Sequence, residues 1–171
     1  MHSNIHHDQM EALPLWYEQI KKEMDFWPIA YYPFYMRPTS SGLAVEDRYE
    51  DELIEKDWEQ VRQLALQAEK EGFPMFMGYE WQGAGLDGDH NVFFLENGEK
   101  QEHPMRYQEL VEAYKGKPVI GIPHHVAYQL GSRGKNWETH DEKFSPFAEI
   151  YSSHGCSEND DGPLMMNRHV H

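Results

Sequence analysis

Apolar residues recur at helical spacing in three segments of the chain. The first segment carries them three or four positions apart, at Met10, Leu13, Tyr17, Ile20 and Met24. This spacing predicts an amphipathic helix over 9–24. The same periodicity predicts a second helix over about 54–71, ended by Gly72 and Pro74. A third helix is predicted over 105–116, where a glycine again provides the C-cap.

Short apolar runs between these helices predict strands, because they are rich in aromatic and β-branched residues. The runs cover 25–32, 74–80, 91–96, 118–123 and 147–152. Strands that alternate with helices in this way favour an α/β fold with parallel strands.

The composition is that of one folded domain over 1–171, with the polar stretch 37–52 as an exposed excursion. Hydrophobic residues make up 39% of the chain and aromatic residues 13%, which excludes a disordered chain. No apolar run approaches the roughly 20 residues that span a bilayer. With no visible leader and a single cysteine, Cys156, we expect a cytoplasmic protein. The net charge of −15 disfavours binding to nucleic acids and anionic membranes.

Polar residues that can bind metals follow the predicted strands. Glu80 and His124 come at the ends of two apolar runs, His154 lies just past a third, and His90 lies in the loop after Glu80. Carboxyl ends of parallel strands meet at one face of a sheet or barrel, where ligands bind. Histidine and carboxylate together suit Zn, Mn or Fe. We therefore predict a metal site rather than a set of loop histidines.

Other polar residues allow two interpretations. Arg133 and Lys135 either bind an anionic substrate or belong to a solvated loop. Glu149 either joins the site or anchors a neighbouring side chain, because an unpaired carboxylate inside a strand is costly. Cys156 is a ligand or an ordinary small residue. Four further histidines lie in polar surroundings and are predicted to be solvated: His103, His140, His169 and His171.

Four phrases resemble motifs of one known family. They are GYEW at 78–81, GDHNVFF at 88–94, IPHHVAY at 122–128 and EIYSSHGCSE at 149–158. In this order they resemble the DUF3604 branch of the PHP (polymerase and histidinol phosphatase) superfamily. The resemblance covers nearly the whole chain and implies an α/β fold, a distorted (β/α)7 PHP-like barrel that is incomplete here. It also implies a phosphoesterase-type activity that depends on bound metal.

The resemblance also implies the metal ligands. MHS at 1–3 matches the end of the family motif Asp-x-His-x-His-Ser/Thr. The implied ligands are His2, Asp8, Glu80, His90, His124 and His154. Two divalent ions, Zn, Mn or Fe, would share Glu80.

The chain departs from the family pattern at three places. The first histidine of the opening motif would precede Met1, and the closing Asp-x-His motif is not visible. Tyr31 and Tyr32 stand where the family has Asp-His. We therefore expect a fragment or reduced form of the domain. An open barrel would leave a strand edge that a second copy could cover, so a homo-oligomer is one expectation.

These residues predict a metal-dependent hydrolase, in first place a phosphoesterase acting on a small anionic molecule. A metal-activated water would attack the phosphorus, and His90 or His154 would protonate the leaving group. The same water could instead cleave an amide or an ester. The alternative from another class is a non-catalytic, degenerate PHP-like domain that binds a metal or a ligand without turnover.

Overall fold

The computed structural model describes residues 2–42, 44–83, 85–96, 99–126, 128, 133–152 and 154–158. The chain divides into two compact units, Met1–Tyr79 and Glu80–His171. Both contain helices and strands, so the predicted α/β class is confirmed at that level. Neither unit closes a barrel within these residues. The predictions for His169 and His171 lie outside the described residues.

The described elements are three α-helices, two short 3-10 helices and nine strands. The helices are α1 (Leu13–Glu23), α2 (Asp51–Glu71) and α3 (Tyr107–Ala113), with 3-10 turns at His7–Ala12 and Trp137–Thr139. The strands are β1 (Ser3–His6), β2 (Trp27–Tyr32), β3 (Phe34–Pro38), β4 (Ala44–Arg48), β5 (Met75–Trp81), β6 (His90–Phe94), β7 (Val119–Pro123), β8 (Tyr151–Ser152) and β9 (Gly155–Cys156). In the described part of the chain, no helix has both the length and the apolar character that crossing a membrane requires.

The N-terminal unit is built on parallel strands, as the sequence predicts. Strand β2 pairs with β1 on one side and with β5 on the other, both in parallel. Ile5, Ile29 and Met77 from these three strands are buried in the core. Helix α2 ends at Gly72, whose φ of 74° is the left-handed conformation expected of a glycine cap.

Two segments of this unit differ from the simplest prediction. The first helix starts at Leu13, and a 3-10 turn precedes it. Pro14 lies in its first turn, where the proline ring prevents a regular α-helix from continuing through the preceding residues. The polar stretch 37–52 includes much of the antiparallel β3–β4 hairpin, which is linked by an ion pair from Arg37 to Asp47 at 2.8 Å.

The C-terminal unit contains an antiparallel pair, so the prediction of parallel strands is wrong there. Strands β6 and β7 pair from His90 opposite Pro123 to Phe94 opposite Val119. After the connection that contains α3, strand β7 begins at the same end of the sheet where β6 finishes. An antiparallel neighbour requires this arrangement. As a result, the start of β6 and the end of β7 lie together.

The segment 147–152 is not the buried strand that its composition predicts. Only Tyr151 and Ser152 of this segment are in a strand. They pair with Gly155 and Cys156 in a short hairpin whose two strands have two residues each. Phe147 and Ile150 are mostly exposed. Composition indicates only that a segment can form a strand. Whether it does so depends on a neighbouring strand with available hydrogen-bonding groups, and the tertiary structure decides whether such a strand is present.

A buried carboxylate, Asp87, joins the start of α3 to the segment around the second 3-10 turn. It accepts hydrogen bonds from Arg106 Nε at 2.8 Å, the Tyr107 amide at 2.9 Å, and Asn136 Nδ2 and Thr139 Oγ1 at 3.4 Å each. Burial raises the pKa of Asp87, but these donors, led by Arg106, outweigh it and hold the pKa below its ordinary value.

Replacing Gly121 by alanine should destabilise the protein by about 1–3 kcal/mol, because the new Cβ would overpack the core. It would clash with Cε1 of the buried Phe144 ring. Urea unfolding measures the loss. In a Phe144→Leu background the same change should cost less, since the ring is absent. Equal costs in both backgrounds would show that this contact is not the cause.

The contribution of Asp87 to stability should depend on pH. Its pKa is depressed in the folded state, so the stabilisation is present above the unfolded-state pKa of about 3.9 and is lost as pH falls through the folded-state value. The difference in unfolding free energy between wild type and Asp87→Asn should therefore shrink between pH 6 and pH 3. The exposed Glu142→Gln variant is the control and should show little change. A difference for Asp87→Asn that is constant with pH would contradict the assignment.

Candidate metal centre

Three side chains of the C-terminal unit converge on one point. Glu80, His124 and His125 each offer a ligand atom, and these atoms lie within 4.8 Å of one another. All three residues are buried, with 1%, 4% and 1% of their surface exposed. Glu80 comes from β5, and the two histidines directly follow β7. The sequence predicts Glu80 and His124 at this place.

His125 joins the group because its backbone leaves the extended conformation. Neighbouring side chains of an extended chain point to opposite faces. His125 has φ = +56°, and its ring centroid lies 3.3 Å from that of His124. A left-handed backbone costs a residue other than glycine about 1–2 kcal/mol, and such strain is found mainly at functional sites. The sequence places His125 beside His124 directly after the apolar run 118–123, but His125 is not among the predicted ligands.

Glu149 orients the imidazole of His124. The Nδ1–H group of His124 donates to Glu149 Oε1 at 2.5 Å, which leaves Nε2 with a lone pair for a ligand. A carboxylate behind a histidine is the usual support for a metal ligand. The Glu149 amide also donates to the carbonyl of Pro123 at 3.0 Å. The structure therefore favours the anchoring interpretation of Glu149.

His154 lies beside the three-residue group but outside it. Its ring centroid is 4.1 Å from that of His125, and its Nδ1 is 3.0 Å from the hydroxyl of Tyr128. Desolvation of the ring lowers the pKa of His154, and His124 and Arg133 lower it further. His154 as a whole remains exposed, so its imidazole is accessible beside a buried cluster.

His90 is close to this end of the strand pair but lies in an aromatic environment. It is completely buried, and its ring stacks on Tyr107 at 4.7 Å and contacts Trp81 at 5.5 Å. Its Nδ1 lies 3.2 Å from the carbonyl oxygen of Gly88, to which it donates if protonated there. Burial lowers the pKa of His90 well below its ordinary value, so the ring is neutral. It does not belong to the three-residue group.

The remaining predicted ligands, His2 and Asp8, lie in the N-terminal unit, and their roles stay predictions. Asp8 is exposed in the 3-10 turn, and His2 is half-buried. Tyr31, which stands where the resemblance implies an aspartate, is fully buried and donates its hydroxyl to Asp57 at 2.8 Å. Burial raises the pKa of Tyr31, so it is a neutral phenol and not a metal ligand.

The two predicted substrate cations have different surroundings. Arg133 donates from Nη1 to Asp89 at 2.9 Å. Lys135 is only 4% exposed, and its Nζ lies 3.5 Å from the centroid of the Tyr107 ring. The solvated-loop interpretation is therefore wrong for Lys135. It is also wrong for His140, which is half-buried with a fully buried Nδ1.

The residues present fit a divalent metal ion. Two imidazoles and one carboxylate are a common ligand set for Zn and Fe, and Mn accepts the same donors. Comparison of the chain with protein-family models, with curated proteins and with solved structures found no match. The geometry of this group and the motifs in the sequence are therefore what indicates a function.

Proposed function

We propose that the chain is a metal-dependent hydrolase of the PHP type, similar to the DUF3604 branch, and that it acts on a phosphoester. The observation that carries the proposal is the convergence of Glu80, His124 and His125 on one buried point. Burying a carboxylate with two imidazoles is costly unless a charge compensates it. A divalent cation would supply that compensation.

The surroundings of the cluster support a ligand role. His124 is held in a single orientation by Glu149, and His125 is held in a strained backbone conformation. Both arrangements reduce the freedom that a metal ion would otherwise have to restrict. We assign these three residues as ligands and Glu149 as the residue that positions His124.

A bound divalent ion would act as a Lewis acid that lowers the pKa of water and offsets the charge of a phosphoester. Zn, Mn and Fe all suit the donors. We retain the proposal of two ions that share Glu80, within an incomplete PHP-like barrel. The substrate would be a small anionic molecule.

His154 is the better candidate for protonating the leaving group. It is exposed beside the cluster, whereas His90 is completely buried and stacked on the Tyr107 ring. Proton transfer requires hydrogen-bonding reach of the substrate, which an accessible imidazole can achieve. Tyr128 holds the His154 ring through Nδ1 at 3.0 Å and leaves the other nitrogen for this role.

Replacing Glu80 by glutamine should abolish tightly bound metal, because it removes the only carboxylate charge in the three-residue group. Wild-type protein loaded with Mn should contain about one or two ions per chain by elemental analysis and should hydrolyse p-nitrophenyl phosphate. Turnover should fall by at least about a hundredfold in the variant. Glu142→Gln changes an exposed carboxylate of the same unit and is the matched control.

The possible outcomes separate the hypotheses. If the wild type binds no metal, or if the Glu80 variant keeps it, the metal centre is wrongly assigned. Metal that is bound without turnover of phosphoesters, esters or amides would point to the non-catalytic binding domain instead. Circular dichroism of each variant should show unchanged helix content, so that loss of metal is not loss of fold.

Replacing Glu149 by glutamine should weaken metal binding without eliminating it. Loss of a carboxylate behind a histidine ligand typically costs about 10–100-fold in metal affinity. Competition with a chromogenic chelator gives the affinity, and Glu158→Gln, an exposed carboxylate of the same segment, provides the comparison. An unchanged affinity would mean that Glu149 does not support a metal ligand.

A further inference from the structure

A lysine is buried in the C-terminal unit without a hydrogen-bond partner for its ammonium group. Lys135 is 4% exposed, and within the described residues its Nζ has no hydrogen-bond acceptor. The Nζ of Lys135 lies over the face of the Tyr107 ring, 3.5 Å from its centroid. Burial lowers the pKa of the Lys135 amine to about 8, so the ammonium form is still present at neutral pH. Buried ammonium groups are normally paired with an anion.

Two buried aspartates of the same unit are already paired with arginines. Asp87 accepts from Arg106 at 2.8 Å, and Asp89 accepts from Arg133 at 2.9 Å. Although Asp87 acts on Lys135 electrostatically, it does not reach it as a hydrogen-bond partner. The two carboxylates are therefore paired with arginines, and the N–H groups of the Lys135 ammonium remain without an acceptor among the described residues.

Two buried histidine nitrogens of the same unit also have no partner. The Nε2 of His90 and the Nδ1 of His140 are buried, and neither has a hydrogen-bond partner in the described part of the chain. His90 stacks on the same Tyr107 ring that Lys135 contacts, and both Lys135 and His140 act on His90 electrostatically. Buried polar atoms without partners are rare in folded proteins and usually mark a missing ligand or ion.

The backbone places this group at the end of the strands that holds the candidate metal centre. His90 lies opposite Pro123, and the amide of His124 donates to the carbonyl of Asp89 at 2.9 Å. A close approach supports the Lys135 segment, because Gly88 with φ = +78° packs directly against Gly134 and Lys135, where a Cβ would lie 2.8 Å from their backbone. The position of Lys135 is therefore fixed by the fold.

We propose that Lys135 forms the anchor of a binding site for a phosphate-sized oxyanion. A tetrahedral oxyanion has acceptors on all sides and can accept hydrogen bonds from the buried ammonium group. The identity of the anion as the phosphoryl group of a substrate, or as the phosphate released from it, rests on the proposed function. Binding of the anion itself does not require the metal.

Isothermal titration calorimetry on the full chain tests this site, with inorganic phosphate and phenylphosphonate as separate probes and EDTA present throughout. Wild type should bind at least one of them, and Lys135→Met should weaken that binding by at least about tenfold, the value of one charge-assisted hydrogen bond. Lys143→Met removes an exposed lysine of the same segment and should bind like wild type. Phenylphosphonate binding would identify a substrate's phosphoryl group, and binding of phosphate alone would identify the released ion.

Two results would overturn the site: no binding of either anion by wild type, or equal affinities in wild type and Lys135→Met. Binding that appears only when Mn replaces EDTA, unaffected by Lys135→Met, would assign the anion to the metal and also overturn it. Failure of the Glu80 experiment leaves this readout untouched, because EDTA has removed metal.

A second measurement avoids dependence on the folding of the variant. Wild-type protein is treated with acetic anhydride, and the modification of each lysine is followed by peptide mass spectrometry. Phosphate should slow modification of Lys135 by at least about fivefold relative to Lys143, because a bound anion occupies the amine. Equal rates for Lys135 with and without phosphate would overturn the proposal.

Discussion

Burial of ionisable side chains at one end of the β6–β7 pair is the constraint on which this structure depends. Glu80, His124, His125 and Lys135 are each at least nine-tenths buried. A buried charge or polar group has to be compensated, or folding would lose several kcal/mol for each. Each of these groups therefore implies a partner, either a neighbouring side chain or a ligand. The candidate metal centre and the proposed oxyanion site follow from applying this rule to each group in turn.

Neighbouring side chains already pair with several of the charged and polar groups in this region. Arg106 and Arg133 take the two buried aspartates, and Glu149 takes the Nδ1–H of His124. Glu80 with His124 and His125 forms a set of one carboxylate and two imidazoles, which suits a cation. The ammonium group of Lys135, which has no hydrogen-bond partner in the described part of the chain, suits an anion. A phosphoesterase needs both kinds of site, since it has to activate water and hold a charged phosphoryl group. The proposed hydrolase activity is consistent with this division.

Backbone conformations that are rare elsewhere position both groups. His125 at φ = +56° brings two successive imidazoles together, and Gly88 at φ = +78° lets the backbone of Gly134 and Lys135 approach closely. Histidine is one of the residues that tolerate the left-handed region, whereas glycine is required where a Cβ would clash. The left-handed backbone at His125 brings its imidazole next to that of His124. The absence of a Cβ at Gly88 makes room for the backbone of Gly134 and Lys135.

The sequence by itself determined the three α-helices, the strands β2, β5, β6 and β7, and the polar residues at their ends, because helical and strand periodicities depend on local burial and local turn chemistry. It predicted Glu80 and His124 as neighbours, and the structure places them in one group. It did not determine the antiparallel pairing of β6 with β7, the left-handed turn at His125 or the burial of Lys135. Strand direction, backbone strain and desolvation depend on which segments become neighbours in space. Only the tertiary structure therefore decided that a lysine in a polar loop is enclosed against Tyr107, and that two adjacent histidines face one point.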